Sequence, residues 1–207
     1  IVIATGSSPI RPENIGLETV PYVTNQQIFD LEKIPASFGV IGGGPIGIEM
    51  AQAYGRLGST VTVFQSAKQI LPHDDKELAD SLTEILRQEG IVIHLASRVR
   101  NVEKAGGKIR ITAVDASGNA AVAEVDSLLV SAGRQANIEG LGLAEIGVEH
   151  TAKGIKVDKH LQTSVPCIWA CGDCTGQYQF SHIAEVEARI VLQDQEGIEA
   201  GLREMGL

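Results

Sequence analysis

Residues 38–49 read Phe38-Gly39-Val40-Ile41-Gly42-Gly43-Gly44-Pro45-Ile46-Gly47-Ile48-Glu49, and this stretch decides the fold. Residues 38–41 are a short apolar run of the kind buried in a parallel sheet. Gly42-Gly43-Gly44 is a sharp turn. Pro45 suits the first turn of a helix, where a missing N–H is no loss. Ile48, Ala51 and Tyr54 then recur at helical spacing, which predicts a helix over residues 45–57. Gly58 ends it, and Thr60-Val61-Thr62-Val63-Phe64 alternates as a β-branched strand.

Gly42 to Gly47 fits G-x-G-x-x-G. Alone the pattern is weak. Between a strand and a helix, with a second strand following, it has the context that dinucleotide binding requires. Gly42 allows the tight turn, Gly44 lets the backbone approach a pyrophosphate, and Gly47 lets helix and strand pack closely. The helix N-terminus, with Pro45 and Ile46 in its first turn, offers free N–H groups and partial positive charge to the phosphates.

The second strand of such a unit ends in the residue that reads the adenosine ribose, an Asp or Glu where the 2′-hydroxyl of NAD is bound. Here the position is Gln65, which is neutral. Gln can bond a hydroxyl and does not repel a 2′-phosphate. Lys68 offers charge to that phosphate, a solvated loop lysine being the competing reading, and no Arg lies in residues 65–75. The balance leans to NADP(H), or to use of both dinucleotides.

Upstream, residues 1–4 read as a buried strand ended by Thr5-Gly6-Ser7-Ser8-Pro9. Residues 9–36 carry four prolines and read as connecting structure with one helical turn near residues 25–31. Downstream, Asp74 is expected to cap a second helix, with Glu77 completing a capping box. Leu78, Leu82, Ile85 and Leu86 would form its apolar stripe, and Glu89-Gly90 its stop. Residues 91–94 form a strand, residues 108–114 and 120–125 a hairpin around Ser117-Gly118-Asn119, and residues 128–132 a buried strand. The order β-α-β-α-β, hairpin, β describes one nucleotide-binding α/β unit of about 110 residues. After Gly133 the chain is loop-like. Residues 167–171 read as a buried strand leading to Gly172-Asp173, and Ser181 as the cap of a helix reaching about Leu192. Residues 193–207 show weak helical character, and Glu185 and Glu187 are expected in solvent.

The 207 residues allow one large or two small domains, enough to bury a core without disulfides. Gly is in excess, with 23 residues against an average near ~7%. With one Trp, three Tyr and four Phe, the chain is no aromatic-lined nucleic-acid platform. The net charge of −9 makes nucleic acid and anionic membrane poor partners. No apolar run approaches ~18 residues, and no signal peptide is expected. The opening Ile1-Val2-Ile3-Ala4-Thr5-Gly6 lacks an initiator Met and reads as the inside of a strand, so a piece of a larger protein is expected.

Cys167, Cys171 and Cys174 are spaced C-x3-C-x2-C. That spacing suits a three-thiolate iron–sulfur site, and Cys171-x-x-Cys174 a redox pair or half a zinc site. Against these, Cys167 and Cys171 fall on an apolar strand where Cys acts as a small hydrophobe, and no second pair exists. Buried, reduced thiols in a cytoplasmic protein, with no metal, is the favoured reading. Asp74-Asp75 reads as helix capping rather than a metal site.

With these residues in hand, the chain resembles the pyridine nucleotide-disulfide oxidoreductases, the family of dihydrolipoamide dehydrogenase and mercuric reductase, and the wording of residues 44–53 looks most like the mercuric reductase-like branch. Four segments carry the resemblance in order: Ala4-Thr5-Gly6; residues 42–49; Ser131-Ala132-Gly133-Arg134 with Asn137; and Thr163-Ser164-Val165-Pro166-Cys167-Ile168-Trp169-Ala170-Cys171-Gly172-Asp173. The resemblance implies an α/β fold in which a Rossmann-like NAD(P)-binding domain, parallel sheet plus β-hairpin, is inserted in an incomplete FAD-binding domain. Residues 1–30 and 141–207 would belong to the FAD domain and tail, and residues 31–140 to the NAD(P) domain. FAD and NAD(P)H are the implied cofactors, and the full-length parent is implied to be a homodimer.

Roles carry over by position. Asp173 matches the acid that bonds the FAD ribityl chain, with Gly172 making room beside it. Phe180, Ser181 and His182 match the flavin-contacting stretch, where a helix dipole favours negative charge on the reduced ring. Gly133 matches a contact on the nicotinamide side and Val99 one to the adenine. Ala132, Arg134, Ala4, Thr5 and Gly6 fall in the cofactor-binding segments. Glu49 matches a glutamate at the nicotinamide–flavin junction that pairs with a lysine from a segment outside this chain. Pro45 departs from the pattern, standing where many members carry a gating Tyr. The FAD-phosphate loop, the redox Cys pair and the interface domain with its His-Glu pair also lie outside. The implied function is an FAD-dependent oxidoreductase, present as a fragment, moving hydride from NAD(P)H to flavin and on to a disulfide or metal ion. A stand-alone dinucleotide-binding module and a non-disulfide flavin reductase are the alternatives.

Overall fold

The structure, a computed structural model, describes the backbone of residues 1–204 and the side chains of residues 1–193. In chain order the elements are β1 (Val2–Ile3), β2 (Ser7–Pro9), β3 (Ser37–Ile41), α1 (Pro45–Arg56), β4 (Thr60–Phe64), α2 (Lys76–Gln88), β5 (Val92–His94), β6 (Ser97–Ala105), β7 (Lys108–Asp115), β8 (Ala120–Val125), β9 (Ser127–Val130), β10 (Arg134–Ala136), β11 (His150–Thr151), β12 (Gly154–Ile155), β13 (Trp169–Ala170) and α3 (Ser181–Glu204). They divide into two compact units: residues 9–133, and residues 1–8 with 134–207.

The 9–133 unit is built on a parallel sheet in the order β5-β4-β3-β9. β3 pairs with β4 from Ser37↔Thr60 to Ile41↔Phe64, and with β9 from Phe38↔Ser127 to Ile41↔Val130. The chain steps outward from β3 to β4 to β5, then returns to the other side of β3. This reversal leaves a crevice at the carboxyl ends of β3 and β9, the place where open α/β sheets bind ligands. A single bridge, Val23↔Leu129, extends the sheet beyond β9.

Alternation along the strands divides the core in two. Phe38, Val40, Val61, Val63, Ile93 and Leu129 face the helices, packing on Ile48, Ala51 and Tyr54 of α1 and Ala79 and Leu86 of α2. Ile41, Phe64, Leu128 and Val130 face the other way, onto Val99, Val102, Ile109, Ile111 and Val125 of the antiparallel sheet β6-β7-β8. Tyr54 stacks on Phe38 at 4.5 Å and donates its hydroxyl to the Ile28 carbonyl at 2.9 Å. That bond ties the 3-10 turn Ile28–Asp30 to α1.

Several details differ from the sequence reading. Asp75, not Asp74, caps α2: its Oδ1 accepts from the N–H groups of Glu77 at 2.9 Å and Leu78 at 3.3 Å. This places Glu77 at the second helical position, so no capping box forms. The buried face of α2 is Ala79, Thr83 and Leu86, whereas Leu78 is 72% and Ile85 49% exposed. The buried face is thus rotated from the expected stripe toward Ala79 and Thr83. The strand β6 was not legible at all. A bulge between Val99 and Asn101 sets its buried Val99 and Val102 three apart and breaks the two-residue alternation.

In the other unit β1 pairs in parallel with β13 through Val2↔Trp169 and Ile3↔Ala170. Its side chains are not buried as expected: Ile1 is 77% and Val2 43% exposed. Among the described residues these two strands form a two-stranded sheet. The expected strand over residues 167–171 shrinks to Trp169–Ala170. Pro166 cannot donate to a ladder, and the chain turns there, with Thr163 N–H bonding the Ile168 carbonyl at 2.9 Å. Cys167 is consequently exposed and left-handed, at φ +64°. α3 begins at Ser181 itself, with the Phe180 carbonyl accepting from Ile183 and Ala184 N–H, so Ser181 is not the cap. The helix runs on to Glu204 rather than stopping near Leu192; each of Gly197 and Gly201 costs about 1 kcal/mol of propensity, which does not stop propagation. Expectations for residues 205–207 lie outside the described residues. Among the described residues, no helix is long and apolar enough to cross a membrane.

Candidate functional site: the glycine loop and the Asp173 turn

Two groups of the expected residues come together, one in each unit. In the 9–133 unit the glycine loop is pinned between neighbouring strand ends. Gly42 N–H donates to the Phe64 carbonyl at 2.9 Å, at the end of β4, and Ser131 N–H donates to the Ile41 carbonyl at 2.8 Å. Ser131 Oγ lies 3.1 Å from both the Ile41 and Gly42 carbonyl oxygens, beneath the loop.

Gly42 has φ +105°, and a Cβ there would sit 2.2 Å from the Ser131 carbonyl oxygen. A Cβ on Gly47 would meet the Gly42 carbonyl oxygen at 2.0 Å. Gly44 is different: a Cβ there would have nothing within 4 Å, so the position is open space. Gly44 is the N-cap of α1, has no side-chain capping bond, and is followed by Pro45. The first turn of α1, with Pro45 and Ile46, therefore presents its partial positive charge without an internal acceptor.

Gln65 follows β4 and is buried, with both ends of its amide engaged within the protein. Lys68 is exposed in the loop that follows. Val99 is part of the core between the two sheets. Glu49 is exposed on α1. Ala132 is half-buried, and Gly133 is exposed with its carbonyl bonded by Ile10 N–H at 2.9 Å.

In the second unit, Thr5, Gly6, Arg134, Gly172 and Asp173 converge. Ser7 Oγ donates to Asp173 Oδ2 at 2.5 Å, Arg134 Nε donates to Ser7 Oγ at 2.7 Å, and Arg134 Nε stands 3.4 Å from Asp173 Oδ2. Asn137 joins this group: its Nδ2 donates to the Thr5 carbonyl at 2.9 Å, and Thr5 Oγ1 donates to the Asn137 carbonyl at 2.6 Å. Asp173 Oδ1 makes no hydrogen bond among the described residues, and the carboxylate is half-buried. Ala4 is exposed beside this group. Phe180 and His182 stack at 5.5 Å on either side of Ser181, all three exposed at the start of α3.

The sequence reading missed Glu187. It is not in solvent but 7% exposed, and its Oε2 accepts from Gly172 N–H at 2.6 Å. Burial pushes its carboxyl above the ordinary value; the Gly172 bond opposes this and Asp173 adds to it. Its period was legible, because Val191, four residues on, is also buried and lies on the same helical face. Glu185 does lie in solvent, paired with Arg189 at 2.6 Å. Cys171 and Cys174 are buried, and burial raises both thiols above their ordinary range. Among the described residues, no group of three or more His, Cys, Asp or Glu is placed to hold a metal ion.

The sequence pattern described as Pyridine nucleotide-disulphide oxidoreductase matches residues 1–188. The chain belongs to that family. The chain is 34% identical over 205 residues to dihydrolipoyl dehydrogenase of Bacillus subtilis (strain 168), covering 99% of this chain and 44% of that protein. It is 35% identical over 191 residues to mercuric reductase of Streptomyces lividans, covering 92% and 40%. Among solved structures it is similar to the Cu(II) complex of HOCl-induced flavoprotein disulfide reductase RclA from Escherichia coli, with a TM-score of 0.83 and 31% identity over 93% of this chain and 44% of that one. The chain thus spans less than half the length of these family members. The family is one of FAD-dependent proteins that use NAD(P)H, and the mixed α/β fold with its parallel sheet is the one its members share.

Proposed function

We propose that the chain is the dinucleotide-binding part of an FAD-dependent oxidoreductase that moves hydride from NAD(P)H to flavin and electrons on to a disulfide or a metal ion. The observation that carries this reading is the glycine loop at the switch point of the parallel sheet, opening a helix whose N-terminus has no side-chain cap. Residues 31–140 are read as the NAD(P) domain, and residues 1–30 and 141–207 as parts of the FAD domain. The parent would be a homodimer, and the protein cytoplasmic.

The residues present fit both groups. For the dinucleotide, Gly44 leaves open space where a pyrophosphate approaches, and the α1 N-terminus supplies N–H groups and partial positive charge. Pro45, Ile46 and Gly47 form that turn. On the family resemblance, Gly133 would contact the nicotinamide side and Val99 the adenine, Ala132 would belong to the same cofactor-binding segment, and Glu49 would be the candidate catalytic residue. For FAD, Asp173 has a free acceptor in Oδ1 for a ribityl hydroxyl, while Ser7 and Arg134 hold Oδ2. Bound flavin supplies the hydride-accepting ring. The chain's own part is positioning and electrostatics: Ala4, Thr5, Gly6 and Gly172 shape the turn around Asp173. The first turn of α3, with Phe180, Ser181 and His182, favours negative charge beside it.

A second reading is a dinucleotide-binding module without catalysis, favoured by the compactness of the 9–133 unit with its own two-sided core. Titration of the purified chain with NADPH, NADH and FAD separates the two. Binding of a nicotinamide dinucleotide together with retained flavin absorbance supports the oxidoreductase. A colourless chain that binds dinucleotide supports the module. Binding of neither dinucleotide overturns both.

A further inference from the structure

Gly43, the middle glycine of the loop, directs both backbone groups and its open side into one neighbouring segment. Its N–H donates to Gln65 Oε1 at 3.3 Å. Its carbonyl accepts from Leu71 N–H at 2.8 Å. A Cβ on Gly43 would stand 3.1 Å from Gln65 Cβ and 3.2 Å from Cγ, so the glycine lies flat on that side chain.

Gln65 is held just as fully. It is 6% exposed, and its Nε2 donates to the Gln69 carbonyl at 3.2 Å. Its own N–H donates to the His94 carbonyl and its carbonyl accepts from Ser97 N–H, both at 2.9 Å. An amide used at both ends is not free to turn outward. Swinging it toward a ribose would leave the Gly43 N–H and the Gln69 carbonyl without these partners, and an unmade buried bond costs more than a made one contributes.

Building on the dinucleotide reading of the loop, we infer that Gln65 is a positioning residue that braces Gly43, not a reader of the adenosine ribose. The 2′ position of a bound dinucleotide then falls to the exposed residues that follow, Ser66 and Lys68. A hydroxyl and an ammonium are hydrogen-bond donors suited to a phosphate, and neither is the carboxylate that would prefer a 2′-hydroxyl.

The test is calorimetric titration of the full 207-residue chain and its variants with NADH and with NADPH, with melting curves alongside. Gln65→Ala removes the brace, and Gln65→Met keeps the packing on Gly43 but loses both hydrogen bonds. Both variants are expected to weaken NADH and NADPH by the same factor, about fivefold, leaving the NADPH/NADH ratio within about twofold of the unaltered chain. Lys68→Ala is expected to weaken NADPH and leave NADH within about twofold. The inference is overturned if Gln65→Met shifts the ratio, which is the signature of a ribose reader. It is also overturned if Gln65→Met lowers the melting midpoint without changing either affinity, which marks a purely structural residue. If the unaltered chain binds neither dinucleotide, the reading of the loop falls with it. If the chain binds and only the ratio moves, the loop reading stands and the brace alone is lost.

Discussion

Glu187 Oε2 accepts the Gly172 N–H at 2.6 Å, so a buried carboxyl of α3 holds the backbone of the turn that carries Asp173. Burial lifts this carboxyl above its ordinary value, so the folded chain binds its proton more tightly than the unfolded chain does. Its contribution to stability is therefore complete below the unfolded value, about 4.3, and is lost as pH rises through the raised folded value. Melting midpoints of the chain and of Glu187→Gln, taken from about pH 4 to about pH 8, check this. The variant keeps an acceptor for Gly172 but has no proton to lose, so its profile is expected to fall less over that range. Parallel profiles would remove Glu187 as the cause.

Gly44→Ala separates fold from function. A Cβ at Gly44 meets no atom within 4 Å and the residue has φ −79°, so the melting midpoint is expected to stay close to that of the unaltered chain. On the proposed dinucleotide reading the added methyl would enter the space where a pyrophosphate approaches, and NADPH affinity should fall at least about tenfold. Unchanged affinity would move the phosphate site elsewhere.

Gly47→Ala should harm both. Its Cβ would lie 2.0 Å from the Gly42 carbonyl oxygen and 2.7 Å from Ser131 Oγ, a collision with backbone that the loop cannot relieve locally. A destabilisation of about 1–3 kcal/mol in urea unfolding is expected, together with loss of dinucleotide binding. A variant as stable as the parent chain would contradict the close approach.

The two neighbouring aspartates before α2 are not equivalent. Asp75→Ala removes the side chain that accepts from Glu77 and Leu78 N–H and should cost about 1 kcal/mol. Asp74→Ala, at an exposed residue outside the cap, should stay within about 0.5 kcal/mol. Urea denaturation of both variants decides it, and equal losses would argue for a shared cap.

Cysteine accessibility offers a direct check on the second unit. Cys167 is exposed, while Cys171 and Cys174 are buried with thiols pushed up by that burial. A thiol reagent is expected to label Cys167 promptly in the folded chain, and Cys171 and Cys174 only after unfolding. Peptide mapping of the labelled protein identifies the sites. Prompt labelling of Cys174 would show that the turn around Asp173 opens.

Local chemistry determined much of this protein. The strand–glycine loop–helix–strand run of residues 37–64 was legible because every signal in it is short-range: a strand period, a turn that needs glycine, a proline suited to a first helical turn. The Ser117-Gly118-Asn119 hairpin and the strands around it were legible for the same reason. What depends on a partner distant in sequence was not. The Gly43–Gln65 bond and the Glu187–Gly172 bond join residues 22 and 15 apart, and no propensity encodes which polar side chain will be buried there. Strand β6 was hidden because a bulge is a property of a pair of strands, not of one. The face of α2 that packs inward, through Ala79, Thr83 and Leu86 with Leu78 and Ile85 left in solvent, also depends on neighbours distant in sequence. The sequence by itself thus determined where the backbone must turn and where a helix N-terminus is left without a side-chain cap. Only tertiary packing decided which side chains are spent holding that backbone in place, because a side chain's role follows from its neighbours in space.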